Sequence, residues 1–304
     1  MDNNTGTPTI EIVIGIRAYY PGLSMAEISR KLGISREWVR QILISRGLST
    51  KVIKEDLKVE SKVQDATLLD KLLRSKGYTK FVNRLNSIPK EEAEWLTGFW
   101  EGDGSLQFNK DKNYGIRIVF NQKDSRILDH IRYLLNLEEK VSYTKKEYTN
   151  KQGYHTASGF GRLTISKKYL VVPILFLLLE NSIDCNRKDQ LLKSFKNFKL
   201  DFEFPTEEKT PSLAWISGFF DAEGSFSLKD KVPLVSLSQS SKTTLKNIQK
   251  VIGGNLYQPK TRTKIFILQL RKKETLEFLP KYIKFSHNYQ KTEKIFSLLR
   301  EAQR

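Results

Sequence analysis

Apolar residues keep a helical period near the start of the chain and alternate with polar ones further on, and this change of period orders the whole sequence. Across positions 24–48, Ile28, Leu32, Ile34, Val39, Ile42 and Leu43 fall at helical spacings, with Gly33 breaking the pattern midway. Ser24 and Ser35 stand where N-caps belong and Glu27 follows the first by three, so two short helices should meet at a tight turn around Gly33. In such a helix-turn-helix the second helix enters the DNA major groove, which makes Ser35, Arg36, Glu37 and Arg40 candidate DNA contacts. Residues 1–50 therefore read as a small all-α helix-turn-helix domain. Residues 51–89 are charged, with a helical pattern near Leu68, Leu69, Leu72 and Leu73, and read as a helical linker ending at Pro89.

Beyond Pro89 the chain repeats itself. WLTGFWEGDGSL, from Trp95, returns 120 positions later as WISGFFDAEGSF, from Trp215. Strand-like alternation follows each copy (Leu106, Phe108, Ile116, Ile118 and Phe120; Phe226, Leu228, Val235 and Leu237) and leads to a glutamine, Gln122 or Gln239. An amphipathic helix, more strands and further helices come next, and each half closes on a lysine-bearing helix at Lys188 or Lys291. The fold class is α/β of the α+β kind, with one repeat over 90–203 and a second over 204–304. The second is shorter, and the polar stretch 144–159 holds the first one's extra length.

Alternation also divides the strand residues between two faces. With Leu106, Phe108, Ile116 and Ile118 toward the core, Ser105, Gln107, Asn109, Arg117 and Val119 face the other way. In the second half the same parity exposes Ser225, Ser227, Lys229, Ser236 and Ser238. Side chains of this kind can read base edges in the major groove.

Charge narrows the partners. The 304 residues include 52 Lys and Arg against 34 Asp and Glu, a formal net charge of +18, which points to a polyanion. The longest apolar run, 169–179, falls short of the roughly 20 residues a membrane-spanning helix needs, carries Pro173, and reads as a buried helix. No membrane partner is expected. The start of the chain lacks a secretory pattern, so an intracellular, reducing setting is expected. Cys185 is the single cysteine, and His130, His155 and His287 are scattered without zinc-motif spacing, so a structural zinc site is not expected.

The repeated motif carries the chemistry. In a helix, Gly98 and Gly102 share one face, as do Gly218 and Ala222, and small residues there let two backbones approach closely. The motif helices should therefore dock the two repeats. Each ends on an acid, Asp103 or Glu223, followed by Gly104 or Gly224, residues suited to a left-handed helix end. A carboxylate at a helix C-terminus opposes the dipole, so local stability does not account for it. Two such acids brought together, with exposed carbonyls beside them, form a hard oxygen site suited to Mg²⁺, which can activate water for phosphodiester hydrolysis.

LTGFWEGDG and ISGFFDAEG resemble the two motifs of a single-chain, two-repeat LAGLIDADG homing endonuclease, a resemblance covering roughly residues 90 to 304. It implies two pseudo-symmetric αββαββα repeats forming a saddle across double-stranded DNA, and double-strand cleavage leaving short 3′ overhangs. Carried onto this sequence, it gives Asp103 and Glu223 as metal ligands, with the backbone oxygens of Gly102 and Ala222 beside them. Gln122 and Gln239 take the position that orders water, and Lys188 and Lys291 the position that stabilises charge. Glu101 and Asp221 are assigned structural roles. Phe99, Trp100, Phe219 and Phe220 depart from the aliphatic pattern and are expected in the cores.

The expected protein is a Mg²⁺-dependent, site-specific DNA endonuclease acting as a monomer on a long pseudo-symmetric or asymmetric site, with the helix-turn-helix extending recognition. The alternatives are a non-cleaving maturase bound to intron RNA and a DNA-binding transcriptional regulator. GIRAYYPG, from Gly15, lacks the spacing and strands of a GIY-YIG nuclease, and three scattered histidines disfavour an HNH nuclease.

Overall fold

The computed structural model describes residues 25–26, 39–40, 76–109, 115–149, 155–197, 209–260 and 264–302. After a leading helix, α1 (Lys76–Asn86), one series of elements occurs twice. The first comprises α2 (Lys90–Asp103), β1 (Gly104–Asn109), β2 (Gly115–Gln122), α3 (Ser125–Leu134), β3 (Ser142–Thr149), β4 (His155–Ile165), α4 (Lys168–Asn181) and α5 (Cys185–Asn197). The second comprises α6 (Leu213–Glu223), β5 (Gly224–Lys229), β6 (Val232–Gln239), α7 (Lys242–Ile252), β7 (Asn255–Tyr257), β8 (Phe266–Gln269), α8 (Lys272–Phe285) and α9 (Tyr289–Ala302). Each half folds its strands into one antiparallel sheet, ordered β1-β2-β4-β3 and β5-β6-β8-β7. This is the α+β architecture the periodicity predicts, with each half closing on two helices. The first half's extra length lies in its outer hairpin, where β3 and β4 have 8 and 11 residues against 3 and 4 in β7 and β8.

Local chemistry sets the helix starts. The side chain of Asp124 accepts from the Arg126 backbone N–H at the start of α3, and Ser212 and Ser241 cap α6 and α7 in the same way. Capping of this kind satisfies N–H groups that have no partner within the helix. α4 has no polar face over 170–179, all of it buried, and Pro173, the sixth residue of the helix, leaves the Tyr169 carbonyl without its usual i+4 N–H donor. No helix among the described residues is long and apolar enough to cross a membrane.

Each half has its own core. Trp95, Phe99, Trp100, Phe120, Leu128 and Leu163 lie in the first, and Trp215, Phe219, Phe220, Phe226, Leu237 and Tyr282 in the second. The bulky motif residues thus fill the cores beneath the two sheets. α1, within the stretch expected as a linker, adds Tyr78, Phe81, Val82 and Leu85 to the first core. Of the helix-turn-helix, only Met25, Ala26, Val39 and Arg40 are described, all helical; Val39 is buried in the first core and Met25 packs against it. Ser35, Arg36 and Glu37 lie outside the described residues. Phe108, expected in the core, is 48% exposed, although Ile116 opposite it on β2 is buried.

The halves join through α2 and α6. A Cβ built on Gly98 would lie 2.0 Å from the Trp215 carbonyl oxygen, and one on Gly218 would lie 2.0 Å from that of Trp95. These glycines serve space rather than backbone conformation, since neither has a positive φ. The expectation of a left-handed end at Gly104 and Gly224 is incorrect. Both are extended (φ −76 and −67), carrying the helix straight into a strand. They are glycine because a Cβ would strike the Trp100 indole Cδ1 at 2.1 Å or the Phe220 carbonyl oxygen at 2.5 Å.

Replacing Gly98 by alanine forces the paired helices apart, and urea denaturation should show a loss of about 1–3 kcal/mol. A loss below about 0.5 kcal/mol would contradict backbone contact as the basis of the interface.

Candidate functional site

The docking of α2 on α6 carries two acids to one end of the pair. A Cβ on Gly102 would lie 2.4 Å from the Cβ of Ala222 and 3.2 Å from Cγ of Glu223, so the last turns abut where Asp103 and Glu223 leave them. Burial raises the pKa of Asp103, against the pull of Lys291, a Gln122 hydrogen bond and Arg187. Burial also raises that of Glu223, and repulsion from Asp103 adds to it, while Lys291 and Arg187 oppose the rise. Each acid thus stands partly out of water beside another negative group.

Two cations flank the acids. Lys291 Nζ donates to the carbonyl oxygens of Phe220 and Ala222 at 2.7 and 3.0 Å, and burial lowers its pKa to about 8. In the first half the same place is taken by Arg187, whose Nε and Nη2 donate to the carbonyl oxygens of Glu101 and Gly102 at 3.0 and 3.2 Å. The backbone confirms the equivalence: Arg187 N–H donates to Asp184 Oδ1, and Lys291 N–H to Asn288 Oδ1, both at 3.0 Å. Lys188 follows one residue along α5, about 100° around the helix, and Arg187 is the side chain that reaches the carbonyls of the motif helix. Only the distance to the anchoring turn separates these neighbours, and the sequence does not print it.

The earlier acids of the motif hold that turn. Glu101, almost wholly buried, accepts from Ser182 Oγ and from the backbone N–H groups of Ile183 and Asp184 at 3.0 and 3.1 Å. Asp221 accepts from Tyr282 OH, Ser286 Oγ, His287 N–H and, across the interface, Trp95 Nε1, at 2.5, 2.6, 2.8 and 2.9 Å. Each acid therefore fixes the start of the helix that delivers the flanking cation.

The glutamines differ. Gln122 Nε2 donates to Asp103 Oδ2 at 2.8 Å while its Oε1 accepts from the Lys123 backbone N–H. Gln239 makes the second kind of bond, to Ser240 N–H at 2.8 Å, and among the described residues none joins it to Glu223.

Strand register collects most of the candidate DNA contacts on one face of each sheet. Ser105 pairs with Val119 and Gln107 with Arg117 in the first; Ser225 pairs with Ser236 in the second, whose register also puts Ser227, Lys229 and Ser238 on that face. Asn109 has the same parity, opposite Gly115 at the end of β1. Val119 is the exception: it shares the face but is fully buried. Gln107 on β1 accepts from Arg162 Nη2 on β4 at 3.0 Å, a bond that crosses β2 between Arg117 and Asn121, over Val119. Arg162 and Thr164 belong to this face, as do Gln269 and Tyr257 in the second sheet, where Tyr257 OH donates to Gln269 Oε1 at 3.3 Å. Continued alternation through the later strands was the signal for them. Arg40 is exposed at its helical position.

The donor set suits a hard cation. Asp103 and Glu223 offer carboxylate oxygens, and Gly102 and Ala222 offer backbone oxygens that already attract positive groups, Arg187 and Lys291. Oxygen-only ligation with two negative charges matches Mg²⁺ better than a thiophilic metal.

Known proteins fit this geometry. The LAGLIDADG-like domain family matches residues 90–172 and 210–264, and sigma-70, region 4 matches residues 13–48, the helix-turn-helix. An intron-encoded DNA endonuclease of Dictyostelium discoideum is 25% identical over 178 residues, 56% of this chain and 62% of its own length. An intron-encoded RNA maturase of Saccharomyces cerevisiae is 26% identical over 192 residues, 60% of this chain and 27% of its own. The chain thus covers less than two thirds of either relative. In fold it is similar to a LAGLIDADG meganuclease bound to uncleaved DNA, with a TM-score of 0.51 at 15% identity, covering 68% of this chain and 90% of that one.

Asp221→Ala strips four donors of their acceptor in a buried setting, and chemical denaturation should show a loss of about 3 kcal/mol or more. Asp129→Ala, at an exposed position on α3, should stay within about 0.5 kcal/mol. Equal losses would remove Asp221 from its anchoring role.

Proposed function

We propose, from the match of residues 90–172 and 210–264 to the LAGLIDADG-like domain family, that the chain is a site-specific DNA endonuclease that cuts both strands with Mg²⁺ and leaves short 3′ overhangs. The observation that carries this reading is the meeting of Asp103 and Glu223 at abutting helix ends. A binding protein gains nothing from two repelling acids set against two helix dipoles, whereas a metal-dependent nuclease requires them.

When bound, the cation supplies Lewis acidity and an activated water. Asp103 and Glu223 hold it through oxygen, and Gln122 fixes the Asp103 carboxylate. Arg187 and Lys291, held by the backbone of the motif helices, put positive charge beside the reacting phosphate. Ser105, Gln107, Arg117 and Arg162 on one sheet, with Ser225, Ser227, Lys229, Ser236 and Ser238 on the other, meet base edges and phosphates; the helix-turn-helix lengthens the site. One chain supplies both acids, so it acts as a monomer, inside the cell. The charge of +18 makes binding fall steeply with salt. A maturase acting on intron RNA is the second reading, favoured by the Saccharomyces relative.

A randomised-site DNA library incubated with Mg²⁺ or EDTA decides between them. Defined cut ends should appear only with the metal, and Asp103→Asn or Glu223→Gln should slow cutting by about a hundredfold or more while DNA binding persists. Arg187→Ala should slow it more than Lys188→Ala. DNA that is bound but never cut would shift the reading to the maturase, and wild-type rates in Asp103→Asn would sink the metal assignment.

A further inference from the structure

Away from the paired acids, three metal-ligating side chains converge from both halves of the protein. Glu92 lies in the first turn of α2, His130 in α3, and His287 in the segment between α8 and α9. Glu92 Oε2 stands 3.2 Å from Nε2 of His130 and 3.2 Å from Nε2 of His287. One ligand atom from each of the three falls within a span of 4.8 Å. Two of the chain's three histidines therefore meet here, although 157 positions separate them in sequence.

We propose that Glu92, His130 and His287 form a binding site for a borderline divalent cation of the Zn²⁺ class, tying the first half of the protein to the second. Ligands bound to tetrahedral zinc at roughly 2.0–2.1 Å stand about 3.3 Å from one another, close to the spacing of the carboxylate oxygen from each imidazole nitrogen. Nitrogen donors favour zinc over magnesium and separate this site from the oxygen-only site at Asp103 and Glu223. All three side chains are between 22 and 28% exposed, which leaves an entry path and room for water as the fourth ligand. Trp95 lies edge-on to both rings, with centroids 5.3 and 4.6 Å away, and its indole shares Asp221 with the His287 backbone N–H. The rings are stacked at 3.6 Å between centroids, so they must splay for both lone pairs to meet one ion. Sequence spacing hid the site because its ligands come from three elements in two repeats.

The full chain, stripped with chelator and carrying Asp103→Asn and Glu223→Gln to silence the acid pair, is titrated with Zn²⁺ by calorimetry and followed by thermal unfolding. One equivalent should bind, and saturating zinc should raise Tm by roughly 5 °C or more. His130→Gln with His287→Gln should abolish both effects, Glu92→Gln should weaken binding at least about tenfold, and Mg²⁺ should not substitute. Co²⁺ bound to the otherwise unmodified chain should give a tetrahedral absorption spectrum. Zinc binding unchanged by the histidine substitutions, the absence of a zinc-dependent Tm rise, or an octahedral Co²⁺ spectrum would each overturn the proposal.

Discussion

Everything in this protein is hung on the contact of two helix backbones. Gly98 and Gly218 each leave open the volume that the other half's tryptophan carbonyl occupies, and the exchange is reciprocal, so it fixes the offset of the helices along their axes as well as their separation. Once the offset is set, the last turns end level and Gly102 abuts Ala222. The acids that follow have no freedom to avoid one another. The unfavourable feature, two carboxylates at two negative dipole ends, is thus enforced by a favourable one located a turn away.

Further contacts reinforce the pair. Asp184, at the start of α5, accepts from Thr244 Oγ1 of the second half at 2.5 Å, and Asp124, at the start of α3, accepts from the Gln290 backbone N–H at 3.3 Å. At the other end of the helices Ser212 Oγ donates to Glu94 at 2.6 Å. The duplication is not a perfect copy. Trp95 Nε1 finds Asp221 across the interface, whereas the buried Trp215 Nε1 has no hydrogen-bond partner among the described residues. Gln122 engages Asp103, and Gln239 turns back on its own loop. A fused pair of repeats can diverge in this way, because a change in one half is not imposed on the other.

The architecture was legible in the sequence because the cues for it are local or periodic. The repeated motif, the alternation of β1, β2, β5 and β6 and the capping residues each report on a few neighbours, and a duplicated pattern reports on the whole. What stayed hidden depends on a third dimension. Arg187 and Lys188 are adjacent basic residues, and the turn anchored by Glu101 determines which of them reaches the Gly102 carbonyl. Val119 follows the alternation faithfully and is nonetheless fully buried, with the Gln107–Arg162 hydrogen bond spanning the strand it sits on. Gly104 looks like a left-handed helix end, yet it is required by the Trp100 indole four residues earlier. Glu92, His130 and His287 carry no spacing signal at all.

The unequal outer hairpins give the two sheets different reaches. A strand advances about 3.4 Å per residue and a DNA duplex about 3.4 Å per base pair, so one residue of strand tracks about one base pair of groove. β3, with 8 residues, is matched by β7, with 3. On the proposed reading a palindrome would be a poor target: the longer arm would extend several steps of duplex beyond its counterpart, and the length of a hairpin would set the direction in which the protein sits on DNA.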